Sequence, residues 1–267
     1  MSEQYFSQSY PLQKGYINQM KTETIFLWFI IYSFIGWLYE TILCSLEERK
    51  FVYRGFLNGP YCPIYGCGAM LDLLVLGRIE NPIILFFSAG VMTCTLEYIT
   101  SYIMEKLFHA RWWDYSNKKF NINGRVCLLG FAAFGIFSVL FIKYLHPFVA
   151  GLTSQMPPEA LKTAAWILLV IFCSDIGVTL QGFAGFRKKL TLFTDELKAE
   201  IKSDIQTNIQ AARQKRLERV EELRSKLNLQ EKRMLAAFPK LSISKRHDKL
   251  NKYSEILSEL KKKITKK

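Results

Sequence analysis

Five apolar stretches of helix length occupy most of residues 24–186: Thr24–Leu46, Tyr61–Leu76, Ile83–Met104, Val126–Leu145 and Leu161–Phe186. Crossing a hydrocarbon core as a helix takes about 20 mostly apolar residues, with a range of about 17–25. Four of the stretches meet that length. Tyr61–Leu76 is shorter and carries Pro63, Gly66, Gly68 and Asp72, so a full span and a re-entrant or broken segment covered by protein both stay open. Backbone inside lipid must satisfy its own hydrogen bonds, which favours a bundle of helices here. The expected fold is therefore all-α: a polytopic membrane helix bundle of about five transmembrane helices, followed by a cytoplasmic coiled-coil tail. Residues 1–23 read as an exposed arm, 24–186 as the transmembrane domain and 187–267 as the basic tail. The first apolar run lacks a small-residue cleavage site and is long enough to span, so no removable leader is expected.

Charge orients this bundle. From Arg187 onward there are 23 basic and 11 acidic residues, against 13 and 12 before it, so +12 of the net +13 lies in the tail. A nucleic-acid partner would call for a compact basic domain with groove-reading or stacking motifs. The tail has neither, and attraction to an anionic lipid leaflet is the simpler account of its charge. With five spans, Arg49, Lys50, Arg54, Lys106, Arg111, Lys118, Lys119 and Arg125 share a side with the tail, while Lys14, Lys21, Arg78, Lys143 and Lys162 lie opposite. The excess of basic residues marks the cytoplasmic side. The expected topology has the N-terminus outside and the C-terminus in the cytoplasm.

The chain also repeats itself. Asn58-Gly59-Pro60-Tyr61-Cys62 opens the second apolar run and Asn123-Gly124-Arg125-Val126-Cys127 opens the fourth; each follows an apolar helix bearing one acid, Glu40 and Glu97 respectively. Two parallel hairpins related about the membrane normal would generate this pattern. Four acids, Glu40, Asp72, Glu97 and Asp175, fall within apolar runs. A charge at the centre of a spanning helix costs about 2.5–3.5 kcal/mol on insertion scales, so such residues are candidates for a substrate or ion path. Helical spacing places Ser33, Gly36, Glu40, Cys44 and Glu47 on one face and Gly90, Cys94, Glu97, Ser101 and Glu105 on another. Those faces either line a path or join helices through bonds to Arg54, Arg111, Arg125 or backbone groups.

Two loops stand out. Residues 54–66 contain three glycines and two prolines, which specify sharp turns and close approaches. The second loop carries Arg111-Trp112-Trp113-Asp114-Tyr115-Ser116 and then Asn123-Gly124-Arg125. Adjacent tryptophans beside charge mark either a membrane interface or, with Arg54, Asn58, Arg111, Trp113, Asp114, Asn123 and Arg125, a substrate or partner site with anion-binding arginines. The six cysteines show neither Cys-x-x-Cys nor metal-ligand spacing and read as packing residues; no metal and no cofactor is expected. Phosphate-loop, nucleophile-elbow and His-Glu-x-x-His signatures are all missing from these residues, so the sequence leans away from an enzyme. In the tail, Leu197, Ile201, Ile205, Ile209, Ala212, Leu217, Val220, Leu223 and Leu227 recur at helical steps in a long charged helix that Pro239 breaks. Leu250, Tyr253, Leu257, Leu260 and Ile264 then form a heptad seam.

The loop motifs Arg54–Gly66, Trp113-Asp114-Tyr115-Ser116 and Asn123–Leu128, with Gly36-Trp37-x-x-Glu40, resemble those of the CmpB-like ABC transporter type IV permease family over roughly residues 28–140. The resemblance implies a multi-pass protein of the bacterial cell membrane, labelled a permease, with any ATPase supplied by a separate subunit. Three readings follow: a transport component whose bundle is lined by Glu40 and Glu97; a membrane-anchored scaffold or sensor acting through its tail, which would bind a cytoplasmic partner or form a homodimer; and a membrane-embedded enzyme on a lipid headgroup, with Asp114 as acid or base.

Overall fold

The computed structural model describes residues 21–108, 110–204, 218, 221–222, 225–237 and 242–243. The arm expected over 1–23 lies outside them except for its last three residues. So do His109, His247, Ile205, Ile209, Ala212, Leu217, Val220, Leu223 and the heptad seam from Leu250 to Ile264. In chain order the elements are α1 (Thr22–Glu48), α2 (Pro63–Leu71) with a π-helical turn (Asp72–Leu76), α3 (Pro82–Phe108), β1 (Ala110–Arg111), β2 (Asn121–Ile122), β3 (Val126–Cys127), α4 (Leu128–Leu140) with a second π-helical turn (Phe141–Leu145), α5 (His146–Ser154), α6 (Pro158–Asp204), α7 (Leu229–Ala237) and β4 (Ser242–Ile243).

Four helical segments are long and apolar enough to cross a membrane: α1, α3 through Leu107, the continuous path Leu128–Ser154, and α6 through Phe186. Large apolar side chains cover their outer faces, Leu129 at 65% and Val170 at 63% exposure among them, as a lipid solvent requires. The segment Pro63–Leu76 is different. Its nine α-helical and five π-helical residues extend about 21 Å at about 1.5 Å per residue, short of a hydrocarbon core of about 30 Å.

The described residues form two compact units. One takes α1 through Tyr39, then Pro60–Tyr102 and Asp114–Cys173. Its core is Trp28, Tyr32, Leu73, Leu76, Leu85, Ala89, Phe141, Ile142, Val149 and Ala150. Small residues let α1 and α2 pack closely: a Cβ at Gly36 would run into the Tyr65 ring, and one at Gly66 into Ser33 Oγ. Polar side chains inside this unit bond one another, Trp28 Nε1 donating to Thr153 Oγ1 at 3.0 Å and Tyr32 Oη lying 2.8 Å from His146 Nδ1. Cys62 and Cys127 are the N-caps of α2 and α4, and both helices pass into a π turn, so the textual repeat marks equivalent helix starts. Pro63 suits the first helical position, where its missing N–H costs nothing. The two Asn-Gly pairs differ. Asn123 and Gly124 take φ of 51° and 65° as the centre of a type I′ turn joining β2 to β3, whereas Gly55 is the glycine of positive φ in the first loop.

The other unit comprises Glu40–Gly59, Ile103–Trp113 and the described residues from Ser174. Helices α1, α3 and α6 enter it by their C-terminal ends, and α7 joins them. Strand β4 pairs antiparallel with β1, Ala110 opposite Ile243 and Arg111 opposite Ser242. The long charged helix expected to run up to Pro239 needs correction: residues 227 and 228 interrupt it. Asn228 Oδ1 accepts from Glu231 N and Glu231 Oε2 accepts from Asn228 N, each at 2.8 Å. This reciprocal capping box satisfies two backbone donors and starts α7 afresh. The described residues of α7 run to Ala237, and Pro239 lies outside them.

Candidate functional site

The first loop is fastened from three directions within its unit. Arg54 Nε and Nη2 both donate to Glu40 Oε2, at 3.0 and 2.9 Å, returning the loop to α1. A carboxylate from α6 holds the other end: Asp175 Oδ1 accepts from Asn58 N at 3.1 Å and Asn58 Nδ2 at 2.9 Å, and Oδ2 accepts from Gly59 N at 2.7 Å. Thr179, one helical turn on and fully buried, donates to Asp175 Oδ1 and accepts from Asn58 Nδ2. The third fastening comes from α7. Arg233 Nη1 and Nη2 donate to the carbonyls of Gly55 and Phe56 at 3.1 and 3.2 Å, and its guanidinium lies over the Tyr53 ring. The Ala237 carbonyl accepts from Arg54 Nη1. Tyr53 Oη donates to Asn58 O at 2.8 Å, closing residues 53–58 on themselves.

The electrostatics favour a fixed loop. Hydrogen bonds to a charged group contribute about 1.5–3 kcal/mol each, more than those between neutral groups, and here a carboxylate and two guanidiniums serve backbone groups that no helix or sheet satisfies. Burial holds the Arg233 guanidinium below its usual pKa range, while Tyr53 and Asp175 act in the opposite direction. Below the loop, Trp112, 3% exposed, packs with ring centroids 5.0 Å from Phe56 and 5.3 Å from Phe183. Trp113 is half-buried, and Arg111 pairs with Glu105 at 3.2 Å.

The remaining candidates belong to the first unit. Glu97 Oε1 accepts from Tyr115 Oη at 3.1 Å. Arg125, 7% exposed, donates to Ser101 Oγ at 2.9 Å and faces the Tyr98 and Tyr102 rings. Asn123 Nδ2 donates to Tyr98 Oη at 2.9 Å. Asp114 Oδ1 accepts from the backbone N and hydroxyl of Ser116, at 2.9 and 2.5 Å, an arrangement that shapes a turn. Asp72 is buried and bonded by Ser138. All six cysteines are free thiols, and the described residues hold no cluster of three His, Cys, Asp or Glu side chains suited to a metal.

Sequence reasoning thus named Glu40, Arg54, Asn58 and Asp175 without joining Asp175 to the loop. Thr179 and Arg233 were missed, and Trp112 was noted only as one of the two adjacent tryptophans. The spacing Asp175-x-x-x-Thr179 places both polar groups on one helix face and was a readable signal; nothing local singles out Arg233 among the tail's many basic residues. A family model described as "Putative ABC-transporter type IV" matches residues 27–180, more than half of the chain. No curated protein and no solved structure matches it.

Proposed function

This chain belongs to the ABC-transporter type IV family, and on that premise we propose that it is the membrane-spanning permease subunit of a transporter powered by a separate ATPase, with loop 53–59 as the element that receives the ATPase's motion. One observation carries the reading. The loop is tied to α1 through Glu40 and to α6 through Asp175, so a displacement of the loop pulls on two helices of spanning length. The C-terminal portions of α1, α3 and α6 belong to this unit, consistent with its lying on the cytoplasmic side with the tail, the N-terminus being outside. No phosphate loop occurs in these 267 residues, so the ATP chemistry belongs to a partner.

A photo-crosslinking residue at Phe51, 75% exposed beside the loop, tests this in native membranes. The expected product is a polypeptide containing a phosphate-loop sequence, its yield reduced several-fold by Asp175→Ala. Products containing only lipid or a second copy of this chain overturn the reading.

The tail's grip on the same loop, through Arg233 and through Ala237 accepting from Arg54, favours a second reading: a membrane-anchored scaffold working through residues 188–267. The two separate on one variant. Glu40→Gln lowers the reconstituted pair's ATPase turnover if the loop transmits motion, and leaves partner capture by the tail untouched if the protein is a scaffold.

A further inference from the structure

Asp72 takes no part in the loop assembly or in either reading above. Its side chain belongs to a residue only 3% exposed at the first position of the π turn Asp72–Leu76. The Ser138 hydroxyl bonds its carboxyl, and Oδ1 is buried without a hydrogen-bond partner among the described residues. Ser138 is itself 4% exposed and lies three residues before the second π turn, Phe141–Leu145. One hairpin therefore supplies an acid and the other its partner, each where α-helical bonding gives way to π, a change often found at functional positions.

We propose that Asp72 is an intramembrane proton-binding site, its carboxyl holding the proton while Ser138 bonds one oxygen. An ionised carboxylate here would bury a full charge with one hydroxyl for company, an expensive arrangement in an apolar interior. The neutral acid leaves a single weak acceptor unsatisfied instead. The titratable groups on the surrounding elements are committed elsewhere: Tyr32 of α1 to His146 of α5, Glu97 of α3 to Tyr115, and Lys143 of the second π turn to the Glu80 carbonyl. Cys67 and Cys94 are free thiols that bring no cation. A hard metal ion needs several oxygen ligands, and Asp72 with Ser138 offers too few.

The test is infrared spectroscopy of the full chain in lipid nanodiscs at neutral pH. The wild-type minus Asp72→Asn difference should contain the carbonyl stretch of a protonated carboxyl, and Ser138→Ala should shift that band without removing it. Loss of ionised-carboxylate bands in Asp72→Asn overturns the proposal. So does conversion of the acid band to carboxylate when sodium chloride replaces choline chloride at fixed pH, which would make this a cation site. Should Asp72→Asn fail to fold, the Ser138→Ala spectrum decides: a shifted acid band supports the site and an unshifted spectrum refutes it.

Discussion

At the scale of single residues, Asp175 is heavily committed: three donors from Asn58 and Gly59 and the Thr179 hydroxyl converge on its two oxygens. Two of those donors are backbone N–H groups that no side-chain change removes. Asp175→Ala should therefore destabilise the protein by about 1–3 kcal/mol, the range for stranding polar groups, and Asn58→Ala by less. The two effects should fall short of additivity by about 0.5–3 kcal/mol because they share one interaction. Thermal or denaturant midpoints of the detergent-solubilised chain measure both, and strict additivity would mean that the loop and α6 are not coupled. Glu40 and Arg54 form another fastening, with side chains 28% and 17% exposed. Partial solvation weakens such a pair, so Asp175 is the stronger of the two anchors.

At the scale of elements, α7 depends on its start. It has nine residues, shorter than an isolated helix needs to persist in water, and is held by a capping box, by the ion pair of Glu231 with Lys189 at 3.0 Å and by the burial of Met234, Leu235 and Ala237. Removing a cap costs about 0.5–2 kcal/mol when alanine replaces it and only a few tenths when glycine does. Asn228→Ala should accordingly speed amide exchange across residues 229–237, and Asn228→Gly should do so far less. Equal exchange in both variants would show that burial alone holds the helix. The capping signature Asn228-x-x-Glu231 was legible in the sequence, but an unbroken helical spacing of apolar residues on either side masked it. A capping side chain competes with the helical backbone bond locally, and a periodicity argument does not register that competition.

At the scale of the whole molecule, the charge asymmetry predicts that Lys118→Cys, at an exposed loop position, resists an impermeant maleimide in intact cells and reacts after permeabilisation, relative to the unsubstituted chain. Efficient labelling in intact cells would reverse the orientation. The mostly helical fold, the four segments of spanning length and the shortness of Pro63–Leu76 were all readable from composition, because lipid leaves a backbone few ways to satisfy its hydrogen bonds. The two Asn-Gly-x-x-Cys copies were readable as helix entrances, and Cys62 and Cys127 each stand at the N-cap position of a helix without a side-chain capping bond. Their likeness stops at the Asn-Gly, since one pair makes a type I′ turn and the other is held by an acid 117 residues away in sequence. Local patterns report the solvent around a segment and the turn it can make. The partners of Glu40, Asp72, Asn58 and Asp175 depend on which helix faces pack together, a choice made by shape and by the need to pair every buried charge, and neither is written within a few residues of the side chain concerned.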